Sequence, residues 1–267
     1  MKLAVLGGGR MGEALARGLV DAGWDAEAIA IAEVDSDRRH ALEHELPSVR
    51  VVPSPAWASA DADVVVVAVK PGDVAAALEA CATSLPEGAL VLSIAAGVQL
   101  AAIEAAVGNR PVVRAMPNTG ALVGKGAAAI APGTHAGEND LALAERVLGA
   151  VGTVQRVPEA QLDAVTGLSG SGPAYVFLLA EALTEAGVLV GLPRPTADAL
   201  VRQTLLGAAT LLTETGETPE ALRAAVTSPG GTTAAGLQAL EAHGVRAALL
   251  DAVEAATQRS RELGDQT

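Results

Sequence analysis

Leu3-Ala4-Val5-Leu6-Gly7-Gly8-Gly9-Arg10-Met11-Gly12 opens the chain with an apolar run that passes directly into glycines, and a helical pattern carrying Leu15 and Leu19 follows. Gly7, Gly9 and Gly12 satisfy Gly-x-Gly-x-x-Gly in the strand, turn and helix order that a dinucleotide-binding turn requires. At such a turn the first glycine permits the sharp bend, the second lets backbone approach a pyrophosphate, and the third lets helix pack on strand. The helix N-terminus then offers free N–H groups to the anion. Gly7, Gly9, Arg10, Met11 and Gly12 are therefore the first expected cofactor contacts.

Outward from this turn the first half alternates short apolar runs with helical segments. Lys2–Leu6, Ile29–Ala32, Val64–Val69, Leu90–Ile94 and Val112–Ala115 read as strands, with Gly126–Ala131 and Thr153–Val157 as further candidates. Between them Met11–Ala22, Ser36–Leu46, Asp73–Leu85, Gln99–Val107 and Glu138–Leu148 carry apolar residues near helical spacing. This is the rhythm of a parallel sheet with helices on both faces. After Pro158 the strand signal stops, and helices separated by Gly and Pro run to the end. The expected architecture is α/β, with an N-terminal Rossmann domain over residues 1–158 and an all-helical domain over 159–267. Ser171-Gly172-Pro173 reads as an N-cap with Pro in the first turn of a helix reaching about Val190. Glu181 and Glu185 in that apolar stretch favour a core-facing helix over a membrane span. Its wide apolar stripes, and those of its neighbours, suggest subunit association.

The net charge of −13 and the 1% aromatic content of these 267 residues argue against nucleic acid, which needs clustered cations and stacking surfaces. Cys81 stands alone, so no internal disulfide is expected. Five apolar residues before the first glycines are too few for a signal-peptide core, and a cytoplasmic location is the expectation.

Glu33 lies about twenty residues past the glycine turn, where an acid at the end of the second strand accepts ribose hydroxyls and disfavours a 2′-phosphate. A solvated carboxylate beside Asp35 and Asp37 is the alternative, and Arg38 and Arg39 stand close enough to swing toward a phosphate. NADPH and NADH both remain open on these residues. Ala68-Val69-Lys70-Pro71 ends the most hydrophobic strand, in the crevice region of open parallel sheets, where Lys70 faces either cofactor, an anionic substrate or solvent. Ser93 to Gly97, with Ala95 and Ala96, offers small residues past which a nicotinamide fits, or a plain tight turn. His40-Ala41-Leu42-Glu43-His44 matches a zinc pattern, but its charged neighbours mark a solvated helix face and no metal is expected. Ser169 and Ser171 lack the flanking glycines of a hydrolase elbow and read as capping residues. Ser228-Pro229-Gly230-Gly231-Thr232-Thr233 precedes a helix, and paired glycines with two hydroxyls exceed what simple capping needs; an anion site is the reading.

Taken together, these segments resemble pyrroline-5-carboxylate reductase, the last enzyme of proline biosynthesis. The resemblance spans essentially the whole chain. It rests on residues 7–12, 68–71, 95–97, Arg114-Ala115-Met116-Pro117-Asn118-Thr119, residues 168–175, Gly191-Leu192-Pro193 and, most specifically, residues 226–233. It implies hydride transfer from NADPH or NADH to the C=N carbon of 1-pyrroline-5-carboxylate, giving L-proline. It also implies that Val226, Ser228, Gly230, Gly231, Thr232 and Thr233 hold the substrate, with the Thr233 hydroxyl on the ring nitrogen as the catalytic contact. A homodimer of interleaved helices follows from it, and family members often form rings of dimers. Three departures stand out: Glu33-Val34-Asp35 replaces the Arg or hydroxyl residue many relatives carry, Pro55 falls where Asn is frequent, and Gly120 replaces a Pro. A β-hydroxyacid dehydrogenase of similar plan would need a Lys and an Asn on the helix at 175–190, which has neither. A dinucleotide-binding sensor without catalysis, or a reductase of a related cyclic imine, are the remaining alternatives.

Overall fold

The computed structural model describes residues 1–264. Eight strands form one sheet: β1 (Leu3–Leu6), β2 (Ile29–Ala32), β3 (Arg50–Val52), β4 (Val64–Val67), β5 (Leu90–Ser93), β6 (Val112–Met116), β7 (Gly126–Pro132) and β8 (Gly152–Arg156). Their order is β3-β2-β1-β4-β5-β6-β7-β8. The first six run parallel, β7 is antiparallel to β6, and β8 is parallel to β7. The order 3-2-1-4-5-6 reverses direction at β1, and that reversal opens a crevice beyond the carboxyl ends of β1 and β4.

The sequence forms this sheet because its central strands are apolar on both faces. Every residue of β1, β2, β4 and β5 is buried, as a parallel sheet covered by crossover helices requires. Leu3, Val5, Val64 and Val66 face α1 (Arg10–Asp21), α2 (Ser36–Glu45) and α6 (Glu138–Gly149), through Leu15, Leu19, Leu42 and Val147. Ala4, Leu6, Val65 and Val67 face the other way, toward α3 (Pro55–Ser59), α4 (Val74–Cys81), α5 (Leu100–Val107) and Leu162 of α7 (Leu162–Val165). Each large side chain buried here contributes about 1.5–3 kcal/mol. The sequence reading passed over β3 and α3. β3 has three residues at a sheet edge, with Arg50 exposed, so it shows no burial period.

The helices that follow are α8 (Gly172–Leu189), α9 (Arg194–Glu214), α10 (Pro219–Ala225), α11 (Thr232–Ala242) and α12 (Val245–Gly264). By packing, Met1–Ser171 and the chain from Glu254 onward make one unit, and Gly172–Val253 a second. Two expectations need correction. Ser171 is no N-cap: residues Thr166–Gly170 form a π-helical turn that leads into α8, and Ser171 itself has helical dihedrals. Ser169 likewise caps nothing, since its hydroxyl donates to the Val165 carbonyl at 3.1 Å. Nor is α8 core-facing within one chain. Of its residues only Thr184 is buried, while Phe177 is 67% and Leu189 87% exposed. The stretch Glu159–Leu189 is long and apolar enough to cross a membrane by length and composition alone. Within the second unit α8 and α9 approach closely, and a Cβ on Gly187 would lie 3.0 Å from that of Ala197.

Gly12 shows how tightly the first turn is built. A Cβ there would overlap the Gly7 carbonyl oxygen and sit 3.1 Å from Val5 Cγ1. Gly12→Ala is expected to cost about 1–3 kcal/mol by overpacking and to abolish dinucleotide binding. Urea midpoints and NADH titration of the variant check this, and wild-type values for both would show that α1 can yield.

Candidate active site

The glycine turn is fixed from two sides. Gly7 continues the sheet past β1: its N–H donates to the Ala32 carbonyl at 2.9 Å, while the Ala68 N–H donates to the Leu6 carbonyl at 2.8 Å. Its φ of +104° is open to glycine, and a Cβ would lie 2.9 Å from the Ala68 carbonyl and the Val69 nitrogen. Gly9 has open space where its Cβ would be. Both backbone polar groups of Gly8 are engaged. Its N–H donates to Glu33 Oε2 at 3.0 Å, and its carbonyl accepts from Arg38 Nε at 2.7 Å. A Cβ on Gly8 would overlap Leu42 Cδ1. The Gly-x-Gly-x-x-Gly pattern treats this position as free; three glycines in succession were the available signal.

A cavity of about 490 Å³ opens over this turn at the carboxyl ends of β1, β2 and β4. Gly7, Gly9, Glu33, Ala68, Val69 and Lys70 of the expected cofactor residues line it. Pro55 also lines it, at the first turn of α3. The open space at Gly9 and the uncapped N-terminus of α1 form a cradle that fits a dinucleotide pyrophosphate. Pro71 and Ala96 line a second cavity of about 460 Å³, with Gly97, Thr166, Ser171 and Arg259. Lys70 and Pro71, consecutive in the chain, thus face one cavity each. Ala95 is buried beside it, its N–H directed to Ser93 Oγ at 3.4 Å. Arg10 lines a different cavity on α1, with Arg17 and Leu122, Met11 packs against the core, and Gly12 supports Gly7 from below.

Arg38 and Arg39, the two arginines close enough to reach a phosphate, both make hydrogen bonds beside the turn. Arg38 Nη2 donates to Glu13 Oε2 at 2.5 Å besides holding Gly8, and Arg39 Nη1 donates to the carbonyls of Glu33 and Val34 at 2.9 and 2.8 Å. Arg38 is thus shared between a carboxylate and a carbonyl, and Nη1 of Arg39 is held by backbone. Burial opposes ionisation of Glu13, but hydrogen bonds from Arg17 and Arg38 outweigh it and hold the carboxyl below its ordinary value of 4.5.

Asn118, in the Arg114–Thr119 segment, has a structural role. Its Oδ1 accepts from the N–H groups of Gly120 and Ala127, both at 3.1 Å, and its Nδ2 donates to the Ser169 carbonyl at 3.0 Å. One carboxamide thus ties the end of β6, the start of β7 and the π-helical turn. Proline at 120 would lack that N–H, and any Cβ there would lie 2.6 Å from the Lys125 carbonyl oxygen. Nearby, Glu159 Oε1 accepts from buried Arg114 at 2.9 Å and from the Leu100 N–H at 2.7 Å, which caps α5.

The remaining expected residues lie in the second unit. Val226 follows α10 and is 65% exposed. Ser228 sits over Gly231, whose N–H donates to the Ser228 carbonyl at 3.0 Å. Gly230 has φ +69°. Thr232 and Thr233 are the first residues of α11, whose N-cap Gly231 supplies no side-chain cap. The first-turn N–H groups of this helix are accordingly available to an anion. Among the described residues no group of three His, Cys, Asp or Glu side chains could hold a metal ion.

A Rossmann sheet with a glycine turn, an acid ending its second strand and a cavity over both defines the class: a dinucleotide-dependent oxidoreductase. Residues 159–263 match the family described as Pyrroline-5-carboxylate reductase dimerisation, and residues 2–97 the one described as NADP oxidoreductase coenzyme F420-dependent. The chain is 46% identical to a pyrroline-5-carboxylate reductase of Synechocystis, over 99% of this chain and 98% of that one. It is 42% identical to one of Arabidopsis thaliana, over 98% and 95%. Among solved structures, a pyrroline-5-carboxylate reductase from Coxiella burnetii superposes with a TM-score of 0.94 at 37% identity, covering 98% of each chain. The Plasmodium falciparum pyrroline carboxylate reductase with NADP bound gives 0.86 at 30%, over 99% of this chain and 98% of that one. The chain belongs to the pyrroline-5-carboxylate reductase family, and the dimerisation match makes it a homo-oligomer.

The lowered value at Glu13 sets a pH test. Its stabilisation is present above the unfolded value of 4.5 and is lost as pH falls through the lower folded value. The stability difference between wild type and Glu13→Gln should be constant near neutrality and shrink only below pH 4.5, as urea unfolding across an acid series would measure.

Proposed function

We propose that this enzyme reduces 1-pyrroline-5-carboxylate to L-proline with NADPH or NADH, the final step of proline biosynthesis. The observation that carries the reading is the pair of built ends in one chain. One is the glycine cradle beneath a cavity; the other is the Gly230-Gly231 turn that leaves the N-terminus of α11 without a side-chain cap.

When bound, the reduced nicotinamide supplies the hydride that adds to the C=N carbon. The chain's own residues do the rest. Gly7 and Gly9 border the pyrophosphate, and Arg10, Met11 and Gly12 contribute through the backbone of the first turn of α1 and not through side chains in the cavity. Glu33 takes the ribose, and Ala68, Val69, Lys70, Pro71, Ala95 and Ala96 border the nicotinamide half. Val226, Ser228, Gly230, Gly231 and Thr232 hold the substrate carboxylate on first-turn N–H groups, with Lys70 adding positive charge. Thr233 is the catalytic contact: its hydroxyl donates to the ring nitrogen. Addition of hydride at carbon would move the π pair onto that nitrogen, which would take up a proton from water to become the secondary amine of proline. An oriented donor stabilises the developing charge.

We read residues 1–158 as the cofactor domain and 159–267 as the dimerisation and substrate domain; 265–267 lie outside the described residues. The dimerisation match beginning at residue 159 supports that division. The exposed apolar side chains of α8 and α9 support cover by a second copy, with rings of dimers as the larger assembly. Glu181 and Glu185 within the apolar stretch support a partner helix over lipid. The acidic charge excludes a nucleic-acid partner in this reading, and the cytoplasm is its location.

Purified protein should oxidise NADH or NADPH in the presence of 1-pyrroline-5-carboxylate and form proline. Tight dinucleotide binding with no turnover would instead favour the sensor. Thr233→Ala should lower kcat roughly ten- to a thousandfold, as loss of one transition-state donor does, with cofactor affinity retained. Unchanged turnover would remove Thr233 from the mechanism.

A further inference from the structure

We propose that the adenosine end of the cofactor cavity selects a ribose with free 2′- and 3′-hydroxyls, so that the enzyme prefers NADH to NADPH, with Glu33 as the specificity-determining residue. This rests on the dinucleotide-binding part of the reading above.

Glu33 lines the cavity where β2 ends, and its carboxylate is oriented by two backbone donors. The Gly8 N–H reaches Oε2 at 3.0 Å and the Asp35 N–H reaches Oε1 at 2.9 Å. An ionised carboxylate offers about four acceptor positions. One on each oxygen is therefore taken and one on each is left. Two remaining acceptors, side by side, match two adjacent hydroxyl donors. A 2′-phosphate has no hydroxyl to give and brings charge of about −1.5 to −2 against that carboxylate.

Several donors near this end are also already engaged. The Gly8 and Asp35 N–H groups point at Glu33. The N-terminus of α2 is capped by the Asp35 carboxylate, which accepts from the Arg38 N–H at 2.8 Å. The Arg38 side chain is divided between the Gly8 carbonyl and Glu13. Arg39 bridges two carbonyls through Nη1, and turning it toward the cavity would leave both without that donor. Val34, next to Glu33 and 78% exposed, adds no charge. Lys70 lines the same cavity from the end of β4, and β1 stands between β4 and β2. That places its backbone about 10 Å from the ribose end.

The test is calorimetric titration with ADP-ribose and with 2′-phospho-ADP-ribose at one ionic strength. Wild type should bind the unphosphorylated fragment at least about tenfold more tightly, a difference of about 1.4 kcal/mol. Glu33→Gln, which keeps the shape and removes the charge, should bring the two fragments to within about threefold. Arg39→Ala should leave the wild-type ratio unchanged. Equal or tighter binding of the phosphorylated fragment by wild type overturns the proposal, as does failure of both to bind. A selective loss of the phosphorylated fragment in Arg39→Ala overturns it too, and that arm stands if Glu33→Gln does not fold. The fragments carry neither nicotinamide nor imine. A preserved ratio in an enzyme that forms no proline would therefore sink the reductase reading and leave this one intact.

Discussion

The approach of the Gly7 backbone to the Ala68-Val69 peptide is the constraint on which the N-terminal unit depends. β1 pairs with β2 on one side and β4 on the other, so the chain leaving β1 has to turn in the gap between their ends. A side chain at Gly7 would strike the Ala68 carbonyl, and one at Gly12 would strike Gly7. The turn is therefore as narrow as backbone allows, and α1 starts directly above it. That narrowness sets the cavity: its floor is glycine, its walls are the ends of β2 and β4, and the first turn of α1 points its N–H groups across the opening. Arg38 and Glu33 then hold the peptide of Gly8 from opposite sides, so the floor is fixed by hydrogen bonds as well as by packing.

Much of this was legible in the residues. A strand buried on both faces is an unbroken apolar run, and Val64–Val67 announces itself. The glycine spacing located the turn, and its distance to Glu33 located the acid. Other features could not be read because they depend on partners distant in sequence. β3 is defined by its pairing with β2 and not by its own three residues. Ser171 follows serine, glycine and threonine, all good capping types, yet the π-helical turn at Thr166–Gly170 carries the helix through them. Arg38 and Arg39 looked mobile because a sequence does not show that backbone carbonyls at 8, 33 and 34 claim them. The three bonds made by Asn118 tie residues 118, 120, 127 and 169, a spread that no local pattern encodes.

The helical unit shows the converse case. Gly and Pro punctuation marked this half as helical, but what covers the helices is not set within one chain. Apolar residues surround α8, and within one chain they stay exposed. The dimerisation match spans residues 159–263, and cover by a second copy is the reading proposed above for these faces. Such a unit is under-packed alone, and its apolar excess is a specification for assembly.

Glu33 serves two structures at once, since the carboxylate that lines the cavity at the end of β2 also accepts the N–H of Gly8. Evolution of cofactor choice is thereby coupled to the integrity of the turn. Replacing this acid with a cationic residue would alter that end of the cavity and in the same step remove the acceptor of the Gly8 N–H, whereas a hydroxyl keeps an acceptor lone pair. A cationic replacement at position 33 therefore calls for a second change, or a water, to accept that N–H, so two properties of the turn are tied to one side chain.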